Sequence, residues 1–257
     1  MTHRRNFLHA GTALALGSAL PGRADAATPL RVAYFETYSP LSFRQDGVLR
    51  GILVDVIQEV AGKRLHLAVE HTGYPWNRAQ MLVRNGEMDA ICTIATPERL
   101  EYAVAAQEPV VSPRRRIFVR NDNPLLPQIR QVKDLEGLRQ LNIVMVSYVG
   151  NGWGKANLGG FNVQEGIDFE SALKMIVAKR GDVLIDNSFT MQYSLARTEG
   201  GADILMMPAD LDQSNFQLLM SKKSPHLGIL PAFDAALRKF KRTPQYTKIL
   251  QQYGVQA

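Results

Sequence analysis

The sequence predicts an α/β chain of two domains, the second inserted into the first. Three observations carry this. After residue 27, short β-branched or apolar runs alternate with segments of helical periodicity, the pattern of βαβ units around a mainly parallel sheet. The alternation breaks at the polar, proline-containing stretch Arg120–Pro127 and then starts again. The last helical region, Leu230–Tyr253, is too small to close a domain alone and is expected to complete the first. The first lobe is therefore placed at residues 27–119 with 217–257, and the second at 120–216. Two crossing strands form the hinge.

The elements follow in order. Leu30–Phe35 reads as a strand. Gly51–Gly62 carries apolar residues at Ile52, Leu53, Val56, Ile57 and Val60, a helical spacing. Leu65–Glu70 reads as a strand, Trp76–Asn85 as a helix stopped by Gly86, and Met88–Ile94 as a strand leading into a Thr-Pro-Glu-Arg turn. Ile117–Val119 is a short strand. The second series comprises a helix near Val132–Leu138, a strand at Asn142–Val146 and a glycine loop. It continues with a helix, a strand near Phe161–Val163, a helix at Phe169–Lys179 and a strand at Asp182–Ile185. Phe216–Ser221 crosses back, and Leu230–Tyr253 is an amphipathic helical region interrupted at Pro244.

Composition narrows the function. The 257 residues are 46% hydrophobic and 21% charged, an ordinary globular balance that excludes a disordered or collagen-like chain. The formal charge is +6, part of it from Arg4, Arg5 and Arg23. Basic residues are dispersed, and the one tight cluster, Arg114-Arg115-Arg116, reads as a solvated surface run. Nucleic acid is therefore not an expected partner. Cys92 is the only cysteine, which excludes an internal disulfide and a multi-cysteine metal site. The histidines show no zinc-binding spacing, so no metal and no cofactor are expected.

Residues 1–26 read as a cleaved export signal: Arg4-Arg5, an apolar stretch from Ala10 to Leu20, Pro21-Gly22, and a small-residue end at Ala24-Asp25-Ala26. The start resembles the twin-arginine export motif; a general secretory signal that begins with two arginines is the alternative. No cysteine follows for lipid attachment, and no later run is long enough to span a bilayer. A soluble periplasmic protein is expected.

Four stretches at strand ends could carry chemistry. Tyr38, just after the first strand, could wall an apolar pocket or pack as a turn residue. Trp76 opens a helix and could face a cleft or pack between domains. In Thr93-Ile94-Ala95-Thr96-Pro97-Glu98-Arg99, Thr96 suits an N-cap and Pro97 the first helical position. Arg99 then lies at the positive end of a helix dipole, where a bound anion would account for it; a salt bridge to Glu98 or Glu101 is the alternative. In the second series, the loop through Gly150, Asn151 and Gly152 enters a helix but matches neither a Walker nor a dinucleotide motif. Asp186 ends a strand, where its carboxylate could pair with a ligand ammonium or cap the next helix.

Together these stretches resemble the family 3 extracellular solute-binding proteins, the polar amino-acid receptors of ABC importers. The resemblance rests on Tyr38-Ser39-Pro40, Gly51-Ile52-Leu53-Val54-Asp55, the Trp76 helix, NGEMDA (85–90) and TPER (96–99). KDLEGL (133–138), GDVLID (181–186) and ILQQYG (249–254) extend it. It implies a two-lobed, type II periplasmic binding protein fold whose lobes close on a small ligand. It further implies that Arg99 holds a ligand carboxylate, with Thr93 adding hydrogen bonds. Asp186 would hold an α-ammonium, Tyr38 and Trp76 would flank the side chain, and the Gly150–Asn151 loop would cover the carboxylate. The ligand would be an amino acid or related zwitterion, the partner an inner-membrane ABC permease, and the protein a monomer without catalysis. A prephenate-type (cyclohexadienyl) dehydratase on the same fold is the alternative; it would need a cleft acid, for which Glu36 and Asp186 are the candidates.

Overall fold

A computed structural model describes Met1 and residues 28–255; apart from Met1, the expected leader lies outside the described residues. The first lobe begins with β1 (Leu30–Phe35), a small antiparallel sheet of β2 (Thr37–Tyr38), β3 (Ser42–Gln45) and β4 (Val48–Arg50), then β5 (Val69–Tyr74), β6 (Ala90–Ile94) and β7 (Ala103–Ala105). The second lobe holds β8 (Arg114–Arg120), β9 (Val144–Tyr148), β10 (Asn162–Gly166), β11 (Val183–Asn187) and β12 (Ile204–Gln213), and β13 (Phe216–Ser221) returns to the first. The two large sheets run β5-β1-β6-β13-β7 and β10-β9-β11-β8-β12. In each, four strands run one way and only the strand arriving from the other lobe runs against them: β13 between β6 and β7, and β8 between β11 and β12.

Side chains alternate across both sheets, as a pleat buried on two faces requires. In β1, Leu30, Val32 and Tyr34 enter one core with the helix from Ile52 and the C-terminal helices Leu230–Phe240 and Pro244–Gln252. Ala33 enters the opposite core with Ala79, Leu82 and Val83 of the helix Trp76–Asn85. That helix ends as expected at Gly86, whose φ of 83° is the left-handed geometry glycine tolerates. The second lobe repeats the scheme: Ile117, Val183 and Ile185 face one way, Phe118 and Leu184 the other, where Ala172, Leu173 and Ile176 of the helix Phe169–Val177 cover them.

The C-terminal segment belongs to the first lobe through polar ties as well as packing. Tyr253 Oη donates to Asp55 (2.7 Å) and accepts from the Gly51 N–H (3.0 Å). Asp234 caps the N–H groups of Gln107 and Glu108.

Several boundaries differ from the sequence expectations. The expected strand at Leu65–Glu70 lies at Val69–Tyr74, because Leu65 and Leu67 pack on the core from a connecting segment. The helix from Ile52 runs on as a π-helical turn to Arg64. The expected lobe boundary at residues 119 and 120 falls inside β8, all of which pairs in the second sheet. The reason is Arg114-Arg115-Arg116: these are the first residues of a strand, with Arg115 ion-paired to Asp186, and Arg114 and Arg116 to Asp210, and so are not a free solvated run. The chain crosses between sheets at residues 111–114 and 213–216. The two crossings are hydrogen-bonded to each other, Ser214 N–H to the Pro113 carbonyl (3.1 Å) and Phe216 N–H to the Val111 carbonyl (3.0 Å). The lobes also meet at the helix Ser188–Leu195: Phe189 is buried in the first lobe's core and Tyr193 lies 5.7 Å from the Phe43 ring.

Candidate functional site

Parallel strands point their carboxyl ends at the gap between the lobes, where open α/β sheets bind ligands. Phe35 ends β1, Tyr38 lies just after it in β2, Trp76 follows β5, and Thr93 and Ile94 end β6. These converge on a cavity of about 270 Å³, completed by Ser42, Leu53, Cys92, Arg99 and Phe216. Its walls are aromatic: Phe35 and Trp76 have ring centroids 5.8 Å apart, and Tyr38 and Phe216 are 6.1 Å apart. Arg99 is its one charged lining residue.

Arg99 sits where the TPER turn predicts. Pro97 starts the helix Pro97–Tyr102 and the Thr96 hydroxyl accepts from the Arg99 N–H (3.4 Å). Its guanidinium is fixed from three sides. Nε donates to Gln80 Oε1 (3.0 Å), Nη1 donates to the Ile94 carbonyl (2.8 Å), and the group stacks on Trp76 at 4.9 Å from the ring centroid. Among the described residues, Nη2 has no hydrogen-bond partner. Glu98, the alternative partner, bonds Arg84 instead. Burial lowers the pKa of Arg99, so an anion here would be held with less screening than in water. Cys92 is buried, and burial pushes its thiol far up, so it lines the cavity as an apolar group.

The second lobe's expected residues are placed differently. Asp186 is buried at the end of β11, and its carboxylate is already engaged: it accepts from Tyr148 Oη (2.9 Å), the Asn187 N–H (2.6 Å) and Arg115 Nη1 (3.3 Å). Burial raises its pKa above the ordinary carboxylate range, with Arg115, Asn187 and Tyr148 pulling the other way. The helix cap is Asn187, which accepts from the N–H groups of Phe189 and Thr190. Tyr38 links the two halves: burial and the nearby Asp186 push its phenol up to about 12, and its hydroxyl approaches Asn187.

Asn151 caps its helix by accepting from the Gly154 N–H (2.9 Å). Gly150 and Asn151 line a separate hollow of about 650 Å³ with Tyr148, Lys155 and Glu165. The structure thus brings Tyr38, Trp76, Thr93 and Arg99 together and leaves Gly150, Asn151 and Asp186 outside that lining. Sequence reasoning missed Phe35 and Phe216, each at the end of a strand where a cleft was expected, and Arg115, read as solvated. Glu36 is ion-paired to Arg44 at 2.7 Å. Among the described residues no cluster of His, Cys, Asp or Glu could hold a metal ion, and no helix is long and apolar enough to cross a membrane.

Solved structures share this architecture. The chain is similar to an ancestral cationic amino acid solute-binding protein, AncCDT-1 (TM-score 0.69, 19% identity, 88% of this chain and 95% of that one). It is similar to the GluR0 ligand-binding core in complex with L-glutamate (0.66, 15%, 89% and 99%). It is also similar to holo ArgBP from T. maritima (0.57, 19%, 87% and 95%). At these identities the likeness is one of fold. No curated protein matches the sequence. The family model for bacterial extracellular solute-binding proteins, family 3, matches residues 30–256, and with two lobes, a crossed pair of strands and a cleft cavity in place, this chain belongs to that family.

Proposed function

We propose that the protein captures a small carboxylate-bearing solute between its lobes by hinge closure in the periplasm and delivers it to an inner-membrane ABC permease, acting as a monomer and without catalysis. The observation that carries this is the Arg99 guanidinium, braced by Gln80, Ile94 and Trp76 with its Nη2 end unbonded among the described residues, at the edge of an aromatic cavity. A fork fixed in this way suits a planar carboxylate. The hydrogen-bonded crossings at 111–114 and 213–216 support a hinge, since few covalent links join two otherwise separate sheets. The family match and the leader's resemblance to an export signal support the periplasm, and the family's usual partner supports the permease.

A thermal-shift screen of amino acids and small organic acids tests the reading. A ligand at about 100 times its Kd adds about 2.7 kcal/mol of stability to the folded state. For a chain of this size that raises Tm by about 5–10 °C. No shift with any small acid would refute capture.

One observation favours the dehydratase reading: a buried carboxyl, Asp186, lies beside the Tyr148 hydroxyl, its pKa raised by burial and pulled back by Arg115, Asn187 and Tyr148. Conversion of a prephenate-type acid over time would establish it, whereas a stable one-to-one complex supports the receptor.

A further inference from the structure

The charges around the cleft do not match a zwitterion. An α-amino acid needs an anionic partner for its ammonium as well as a cation for its carboxylate. Asp186 is the carboxylate nearest to that role, and three donors from its own lobe already occupy it. One of them is Arg115, a cation whose side chain is only 14% exposed. Arg115 is itself held over the Trp153 ring, 4.8 Å from the centroid, and this second contact restrains it from swinging aside. Glu36, the other acid near the first strand's end, is closed by Arg44. What remains uncompensated is positive. Arg99 lines the cavity with no acid in that lining, and the buried Nε of Arg115 has no acceptor among the described residues. The body of the cavity is apolar: Phe35, Tyr38, Leu53, Trp76 and Phe216.

Resting on the capture reading above, we propose that the ligand is a small organic acid with an aromatic or branched apolar body and no α-ammonium group, and that the Arg115–Asp186 ion pair is the device that selects against amino acids. Arg115 occupies, as a fixed side chain, the place an ammonium would take. An amino acid would bring a second cation toward a carboxylate that is already paired, and would bury that cation without a partner. The desamino acid meets only Arg99 and the rings.

Matched pairs that differ in the ammonium alone decide this. Calorimetry of the purified wild-type protein would compare 3-phenylpropanoate with L-phenylalanine, and 4-methylpentanoate with L-leucine. The desamino acid is expected to bind at least about tenfold more tightly in at least one pair, the discrimination typical of an unpaired buried polar group. The variant Arg115→Met, which keeps length and apolar stem while freeing Asp186, is expected to narrow or reverse that ratio. Asp186→Asn, nearly isosteric, is expected to keep the preference for the desamino acid. Equal or tighter binding of the amino acid by wild type would overturn this inference and leave capture standing. Failure of all four compounds to bind would overturn it too, and if the wider screen of small acids also failed, capture would fall with it.

Discussion

His71 should make the first lobe acid-sensitive through a group far from the cleft chemistry. It lies on β5 beneath the helix that starts at Ile52, with Nδ1 2.9 Å from Tyr34 Oη and Nε2 2.9 Å from Gln58 Oε1. The arrangement suits a neutral ring: Nε2 carries the proton and donates to the amide oxygen, while Nδ1 accepts from a phenol that burial keeps protonated. Burial lowers the imidazole pKa from 6.5 to about 4. Between those values the unfolded chain binds the proton and the folded chain does not, so stability falls as pH drops. The contribution is complete above pH 6.5 and gone below pH 4. The full window is worth about 3 kcal/mol, and about 2 kcal/mol is lost by pH 5. That corresponds to a fall in Tm of about 4–8 °C. Scanning calorimetry at pH 7.5 and pH 5 would measure it in wild type and in His71→Gln, whose amide does not titrate. The variant should lose less of its Tm on acidification by about that amount. An equal loss in both proteins would refute the reasoning.

Two further outcomes follow from single contacts. Asp89, 1% exposed, accepts from the Arg31 N–H (2.9 Å), the Arg31 guanidinium (3.0 Å) and the Ser224 hydroxyl (3.0 Å), tying β1 and β6 to the segment after β13. Asp89→Ala should cost about 2–4 kcal/mol in urea unfolding, and a cost under about 0.5 kcal/mol would show that water replaces the carboxylate. Gly51 has φ of 134°, and an added Cβ would lie 2.3 Å from the Leu41 carbonyl oxygen. Gly51→Ala should therefore lower Tm by several degrees, and an unchanged Tm would mean the turn relaxes freely.

The elements most legible in the sequence were those with clean periodicity and a clear stop. β1, the helix Trp76–Asn85 before Gly86, β13 and the paired C-terminal helices lie where apolar spacing and breakers put them. β5 was harder because its middle is His71-Thr72-Gly73, a polar run whose histidine is satisfied by Tyr34 and Gln58, residues distant in sequence. β12 was not read as a strand. It is an edge strand, so it tolerates Pro208, and its acidic Asp210 is matched by Arg114 and Arg116 across the ladder. That pairing also hid the start of β8. The first-lobe half of the site was visible because local turn chemistry, Thr96-Pro97 and then Arg99, fixes where the guanidinium goes. The second-lobe half was not, because what Asp186 does is decided by Arg115, 71 residues earlier in the chain and brought alongside only by the antiparallel pairing of β8 with β11.

The most direct test of the account is the affinity lost when the Arg99 guanidinium is removed. Titration calorimetry on wild type and Arg99→Ala, with the best acid from the thermal-shift screen, should show a loss of at least about 100-fold, as expected when a charge-assisted fork to a carboxylate is deleted. The unfolding transition of the variant should stay cooperative, since Arg99 closes no core. Wild-type affinity in Arg99→Ala would contradict the claim that this cavity captures its ligand by the carboxylate.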